Sequence, residues 1–213
     1  MTTVATAAPA RVLKARQGGA RISLAEPAGL AAVASMTAAG LIILSQIANL
    51  AIGLTMGPDS VTTAIHTFKN ALALVAMYAL LLALTGLYAT QAKSAGRLGL
   101  LGYLVAFLGT LLVAGDWWFE SFVVPQIAAQ APQILKSAPS GPLLVGAIGT
   151  FGLFALGWVL FGIATLRARV LSRSGAVLMI IGGLVGVLAL SSPSPSPAGP
   201  RTGPRAARST PAC

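Results

Sequence analysis

Charged side chains are scarce in this sequence: they make up 8% of its 213 residues, and only four of them are acidic. Soluble domains carry about 25% charged residues, because their surfaces must face water. Hydrophobic residues make up 56% of the chain, which is typical of a protein surrounded by lipid. Since a transmembrane helix needs about 20 apolar residues, the length leaves room for five or six spans.

Cysteine and histidine occur once each, as Cys213 and His66. A single histidine excludes a bis-histidine haem within one chain, and it excludes zinc sites that need two histidines. The sequence contains no P-loop, no dinucleotide-binding fingerprint and no HExxH motif. We therefore expect no metal and no cofactor, and we assign no catalytic residue.

The net charge of +10 would indicate nucleic-acid binding in a soluble protein. Here the basic residues lie between apolar runs, as they do in cytoplasmic loops that face anionic lipid. The sequence therefore predicts the lipid bilayer as a partner and no nucleic acid.

Five apolar runs predict an all-α fold, a polytopic transmembrane helical bundle of about five spanning helices. Residues 1–29 are small, polar and basic, and we predict a disordered cytoplasmic tail. Residues 30–190 would form the transmembrane domain. Its predicted spans cover residues 30–55, 68–90, 98–123, 142–166 and 175–190. The fifth span is short and marginal for a crossing.

The segment 191–213 changes character abruptly, with six of the chain's 13 prolines among Ser, Arg and Ala. Such a segment cannot bury a core and is predicted to be disordered. Two interpretations stay open. The segment is either a natural extracytoplasmic tail or a frame-shifted end that replaces the sixth span of a six-helix parent.

The basic residues predict the orientation. Nine of the 14 lie on one side of the predicted membrane, in the N-terminal tail and in the loops after the second and fourth spans. The two loops on the other side hold only Lys69 and Lys136. The positive-inside rule then places the N-terminus in the cytoplasm and the protein in the cell membrane. Frequent Ala and Gly, with more Arg than Lys, indicate a GC-rich bacterial genome.

Aromatic residues mark the predicted outer interface. Trp117 and Trp118 lie at the outer end of the third span. Amphipathic rings prefer the level of the lipid headgroups, so we interpret both as interface anchors.

Small residues recur at helical spacing in two spans. Gly99, Gly102, Ala106 and Gly109 follow one another at steps of three and four, and Gly182 and Gly186 form a small-xxx-small pair. In lipid, close approach through small residues replaces the hydrophobic effect between helices. These glycine faces predict helix contacts within the chain, in a homo-oligomer or with a membrane partner protein.

The same progression continues to Asp116 and Glu120, which places both carboxylates on the packing face. His66, Lys69 and Asn70 share a face at the outer start of the second span. Gln46 and Asn49 would lie about 13 and 9 Å below the outer end of the first span, where an amide in hydrocarbon needs a partner. Together these residues predict an outward-opening polar pocket: Gln46, Asn49, His66, Lys69, Asn70, Asp116 and Glu120.

Three functions remain open from the sequence. The small residues and the weak polarity of the spans favour a non-catalytic accessory, assembly or regulatory component that acts through helix contacts. The polar pocket would instead suit a subunit of a small-solute or ion transporter or channel. An enzyme using His66 and the two carboxylates is less favoured, because no spacing indicates a reaction.

Overall fold

The computed structural model describes residues 26–55, 61–135 and 140–190, with only the backbone for residues 53–55 and 186–190. These described residues are almost entirely α-helical and contain no β-strand. In chain order the helices are α1 (Pro27–Thr55), α2 (Ala64–Phe122), α3 (Val124–Gln130), α4 (Pro132–Leu135), α5 (Gly141–Ala168) and α6 (Arg173–Leu190). The predicted all-α fold is thus confirmed for the described residues. Lys136 and nearly all of the two predicted tails lie outside them.

Three helices in the described part of the chain are long and apolar enough to cross a membrane. The first is α1 over Pro27–Ile52, with 26 residues. The second is α2 together with α3, Ala64–Gln130, with 67 residues, and the third is α5, Gly141–Ala168, with 28 residues. The helix Arg173–Val185 is apolar but shorter. A straight helix of 67 residues would be about 100 Å long, roughly three times the thickness of a hydrocarbon core.

The second of these helices is not straight, because its chain reverses within α2 at Gly96. This residue has φ 58° and ψ −156°, a conformation that glycine adopts without the steric penalty other residues meet. The arms before and after it are helical, so the predicted loop between the second and third spans is a single non-helical residue. We call residues 64–95 the first arm and residues 97–122 the second arm.

The two arms pack against each other in antiparallel fashion. Near the reversal, the rings of Tyr88 and Tyr103 stack with their centroids 4.4 Å apart. Farther along, Leu84 and Ala106 belong to one buried cluster. At the far end, Asn70 Nδ2 lies 3.4 Å from the carbonyl oxygen of Glu120. The hairpin therefore stays closed over its whole length.

The other long helices flank this hairpin. α1 packs only against α2, α5 packs against α2, and α6 packs only against α5, as far as the described residues show. Contacts on α1 come from a buried stripe made of Ala31, Ala34, Ala38, Ser45 and Ile52. The result is an open row of helices in chain order.

Two turns, the one at Gly96 and the one between α5 and α6, lie at one end of this row, which we call the Gly96 end. Gln91 Nε2 donates to Thr165 Oγ1 at 2.9 Å and ties the turn at Gly96 to the turn between α5 and α6. Arg169 closes α5 in a left-handed conformation, with φ 54°. Exposed cations gather here: Lys93, Arg97, Arg167, Arg169 and Arg173. We call the opposite end the Glu120 end.

Small residues bring α5 to backbone distance from the second arm. A Cβ atom placed on Gly102 would lie 2.7 Å from the backbone nitrogen of Phe161. A Cβ atom on Gly109 would meet the backbone of Phe154 still more closely. A larger side chain at either position would therefore force the two helices apart.

The remaining residues of the same face are also buried. Ala106 is 0% exposed and meets Gly157 of α5, where a Cβ atom would clash with the Ala106 backbone. Gly99, next to the reversal, faces the Ala95 methyl group. The structure thus places all four small residues of the predicted glycine face in the interior.

The glycines of α6 behave differently from one another. A Cβ atom on Gly183 would lie 3.0 Å from Trp158 Cβ, whereas one on Gly182 would have nothing within 4 Å among the described atoms. The contact inside the chain therefore uses Gly183, which the sequence pattern did not single out. An outside partner at Gly182 stays a prediction, and the surroundings of Gly186 lie outside the described residues.

Candidate functional site

Polar side chains from three helical segments meet at the Glu120 end. We call this group the polar cluster, and its members are Ser45 of α1, His66, Lys69 and Asn70 of the first arm, and Glu120 of the second arm. The first arm begins at Ala64, where Thr63 caps the helix and its Oγ1 accepts a hydrogen bond from His66 N at 3.4 Å. The three residues that follow at helical spacing then share one face.

Asn70 is the centre of the polar cluster and is 1% exposed. Its Oδ1 accepts a hydrogen bond from Lys69 Nζ at 2.7 Å. Its Nδ2 lies 3.0 Å from His66 Nε2 and 3.4 Å from the carbonyl oxygen of Glu120. One amide therefore joins both arms of α2 at the end where no covalent turn connects them.

These hydrogen bonds also assign the proton of His66. Because Asn70 Oδ1 accepts from Lys69, Asn70 Nδ2 is the donor toward His66 Nε2. His66 Nε2 must then be unprotonated, which places the ring proton of a neutral histidine on Nδ1. Glu120 Oε2 lies 3.9 Å from the same Nε2. A proton arriving at Nε2 would exchange the bond to Asn70 for an ion pair with Glu120.

Lys69 brings a positive charge into the polar cluster although it is only 8% exposed. A buried ammonium group needs partners, because water no longer solvates it. Asn70 supplies a hydrogen bond, and the carboxylate of Glu120 supplies opposite charge. Glu120 is itself 40% exposed, so the cluster reaches the surface through this carboxylate.

The first helix contributes Ser45 to this site. Ser45 is 3% exposed, and its Oγ donates to the carbonyl oxygen of Lys69 at 2.9 Å. The structure does not bring Gln46 and Asn49 into the cluster, since both are exposed. Ser45 occupies the stripe that meets the first arm, and Gln46 points about 100° away from it, because α-helices turn by that angle per residue.

Asp116 lies one turn before Glu120 but has different surroundings. It is half-buried, and no hydrogen-bond donor from the described residues reaches it. It opens into a cleft of about 280 Å³ between the second arm and α5. We call this space the Asp116 cleft, and its walls include Leu112, Phe119, Leu143, Gly146, Thr150 and Phe151.

The predicted interface anchors, Trp117 and Trp118, lie between Asp116 and Glu120 in the sequence. Trp118 is 50% exposed, and its ring lies 5.9 Å from that of Phe122. Trp117 instead is partly buried and packs against the cluster formed by Leu74, Met77, Val113 and Ala114. The two neighbouring tryptophans therefore differ in exposure, and their role as interface anchors stays a prediction.

The polar cluster contains groups that can hold and move a proton, namely His66, Lys69 and Glu120. Ser45 is not arranged as a nucleophile, because its hydroxyl group donates to a backbone carbonyl. Among the residues that the structure describes, no group of three or more His, Cys, Asp or Glu side chains could hold a metal ion. The arrangement mainly links three helical segments through hydrogen bonds.

Sequence reasoning missed two polar contacts between helices. Trp158 Nε1 donates to Thr110 Oγ1 at 3.1 Å in the middle of the bundle, and Gln91 bonds Thr165 at the Gly96 end. The signal for the first was a tryptophan in the middle of an apolar run, far from either interface, where its N–H group needs an acceptor.

Comparison with known proteins gives no further information. No protein-family model matches the chain, and no match was found among the curated proteins or the solved structures.

Proposed function

We propose that the chain is a multi-pass protein of the cytoplasmic membrane that acts through helix contacts, as an accessory, assembly or regulatory component. The observation that carries this proposal is the division of its glycines. Gly102, Gly109 and Gly183 face neighbouring helices of the same chain, whereas Gly149 and Gly182 meet nothing among the described atoms. Small residues on the surface of a membrane helix allow another helix to approach closely.

The proposal includes five crossings. Each arm of α2 would supply one, because residues 97–117 rise about 30 Å, the thickness of a hydrocarbon core. α1 and α5 would supply one each. α6, with 18 residues, would be the fifth and would need a locally thinner bilayer.

The proposal also places the N-terminus in the cytoplasm. The exposed cations of the two internal turns gather at the Gly96 end, whereas Asp116 and Glu120 lie at the opposite end. The positive-inside rule favours the cationic end for the cytoplasm. α1 begins in the half of the bundle nearer to the Gly96 end, since Pro27 and Ala31 meet Gly86. The N-terminal tail would share that side.

Two adjacent glycines of α6 give a matched test of the helix-contact function. A leucine side chain at position 182 meets open space within the chain, whereas at position 183 it meets Trp158 Cβ and the Ala155 carbonyl oxygen. We expect Gly182→Leu to preserve the folded yield in membranes and to abolish the complex that in-membrane cross-linking detects. Gly183→Leu should lower the folded yield itself.

The full chain in its native membranes is the material for this test, with Gly182→Ala as the conservative control that should keep the complex. A wild-type chain that cross-links to no other helix would contradict the proposal. An unchanged cross-linking pattern in Gly182→Leu and in the corresponding Gly149→Leu variant would contradict it equally.

A subunit of a small-solute or ion transporter or channel is the second candidate, and the exposure of Glu120 within the polar cluster favours it. Leu84, Ala106 and Phe161 are 0% exposed between this cluster and the Gly96 end, which argues for a closed interior. Flux into proteoliposomes that is lost in Glu120→Gln would favour transport over the helix-contact function.

A further inference from the structure

The two carboxylates of the second arm lie one helical turn apart but have opposite surroundings. Glu120 has a buried ammonium group, Lys69, close enough for its charge to act on it. No cation among the described residues acts on Asp116 in this way. When Asp116 is ionised, the described chain therefore supplies no positive charge to compensate it.

The space in front of Asp116 is an apolar cleft with one polar wall group, the Thr150 hydroxyl. Phe119 and Phe151 contribute aromatic rings to the cleft, and Leu112 and Leu143 contribute aliphatic side chains. Gly146 keeps part of the space open, because a Cβ atom there would have nothing within 4 Å among the described atoms. The volume of the Asp116 cleft, about 280 Å³, is close to the lower limit for pockets that hold drug-sized molecules.

A single carboxylate at the edge of apolar and aromatic walls selects for a particular chemistry. An anion would be repelled, and a neutral apolar molecule would leave the carboxylate uncompensated. A small inorganic cation would lose water without gaining oxygen ligands, since calcium takes six to eight of them. An organic ammonium ion with an apolar substituent suits both the carboxylate and the apolar walls, because aromatic rings attract cations as well.

We propose that the Asp116 cleft binds a small organic ammonium ion with an apolar body. Asp116 binds the cationic group, and the Leu and Phe walls bury the apolar part. This binding is additional to the helix-contact function and does not depend on it. The ammonium group can belong to a free amine or to the headgroup of a membrane lipid, since both present the same chemistry at this level of the bundle.

The test uses the full chain in nanodiscs of phosphatidylglycerol, a lipid without an ammonium group, and benzyltrimethylammonium as the probe, with binding measured by isothermal titration calorimetry. We expect saturable binding to the wild type and affinity weaker by about tenfold or more in Asp116→Asn, as for loss of a partly desolvated charge pair. Glu120→Gln is the matched control, because it removes a carboxylate one turn away that does not line the cleft, and it should retain the affinity.

A second variant keeps the carboxylate and fills the space. Gly146→Leu should fold, since nothing crowds that position, and should lose the probe although Asp116 is present. Equal affinity of wild type, Asp116→Asn and Gly146→Leu would overturn the proposal. Loss of binding in Glu120→Gln to the same extent as in Asp116→Asn would overturn it as well.

Nanodiscs of phosphatidylethanolamine distinguish the two sources of the ligand. If the lipid headgroup fills the cleft, native mass spectrometry should show one retained phosphatidylethanolamine in the wild type but not in Asp116→Asn, and the probe should bind more weakly in these discs. If a free amine is the ligand, the probe should bind equally in both lipids. Absence of probe binding in phosphatidylglycerol together with no retained lipid would contradict the proposed site.

Discussion

The two ends of the α2 hairpin are closed by different means. At the Gly96 end the backbone connects the arms, and one glycine with φ 58° makes the reversal. At the Glu120 end no turn connects them, and Asn70 joins them through its hydrogen bond to the Glu120 carbonyl oxygen. The cations of the Gly96 end are exposed, whereas Lys69 and Asn70 at the other end are buried.

This difference indicates which end of the hairpin is more sensitive to single substitutions. Exposed charges keep their hydration and depend little on neighbours. Buried polar groups depend on every partner, because removal of one leaves the others unsatisfied. We therefore expect single substitutions to lower the free energy of unfolding more at the Glu120 end than at the Gly96 end. The largest loss is expected at the interface between the hairpin and α5.

The largest effect is expected for Gly109→Leu, in the middle of that interface. A side chain there meets the backbone of Phe154, which cannot move as a flexible side chain does. The free energy of unfolding in mixed micelles should fall by about 3 kcal/mol, the upper part of the range for overpacked cores. Gly115→Leu is the control on the same arm, because nothing lies within 4 Å of it among the described atoms. Equal stability of the two variants would contradict the observed approach of the helices.

Asn70→Leu tests the Glu120 end of the comparison. It leaves Lys69 Nζ and the Glu120 carbonyl oxygen without their partner, and a buried unsatisfied polar group costs about 1–3 kcal/mol. We expect the free energy of unfolding to fall by about 2–3 kcal/mol. Asn49→Leu removes an exposed amide and should be within about 0.5 kcal/mol of the wild type. A loss of unfolding free energy in Asn49→Leu as large as that in Asn70→Leu would contradict the finding that Asn70 is buried and Asn49 is exposed.

Gly96→Ala tests the covalent end. Alanine at φ 58° and ψ −156° would be strained by about 1–2 kcal/mol, and the free energy of unfolding should fall by that amount. Gly115→Ala, at an exposed helical position, should instead be neutral or slightly stabilising, because alanine has the higher helix propensity. If Gly96→Ala were as stable as the wild type, the reversal would not depend on the glycine conformation.

Gln91→Leu should have the smallest effect and sharpens the contrast between the ends. It removes the hydrogen bond to Thr165, but it also removes a buried Oε1 atom that has no hydrogen-bond partner. These opposing terms should leave the free energy of unfolding within about 1 kcal/mol of the wild type. A loss as large as that of Asn70→Leu would show that both ends depend equally on buried hydrogen bonds.

The sequence was informative where backbone approach decides the structure. The 3–4 spacing of Gly102, Ala106 and Gly109 located the face that meets α5, because a leucine there would exclude a neighbouring helix whatever the solvent. The apolar runs likewise located the helices. The turn at Gly96 is tighter than the loop predicted from Lys93 and Arg97, since one glycine can reverse the chain without a polar connector.

The sequence was less informative about which side of a helix faces inward. Apart from a few polar residues the first helix is apolar on every side, so hydrophobicity did not distinguish the buried Ser45 from the exposed Gln46 and Asn49. The choice depends on the register between α1 and the first arm, which pairs Ser45 with Lys69. The same holds for Gly182 and Gly183, which are adjacent and chemically identical, and only the packing of α6 on Trp158 separates them.

The most direct test concerns the placement of the two ends on opposite sides of a membrane. Single cysteines would be introduced as Lys93→Cys at the Gly96 end and Trp118→Cys at the Glu120 end, in a Cys213→Ser background, and intact cells would be treated with a membrane-impermeant maleimide. We expect Trp118→Cys to react in intact cells and Lys93→Cys to react only after permeabilisation. Reaction of Lys93→Cys in intact cells would contradict the proposed membrane orientation.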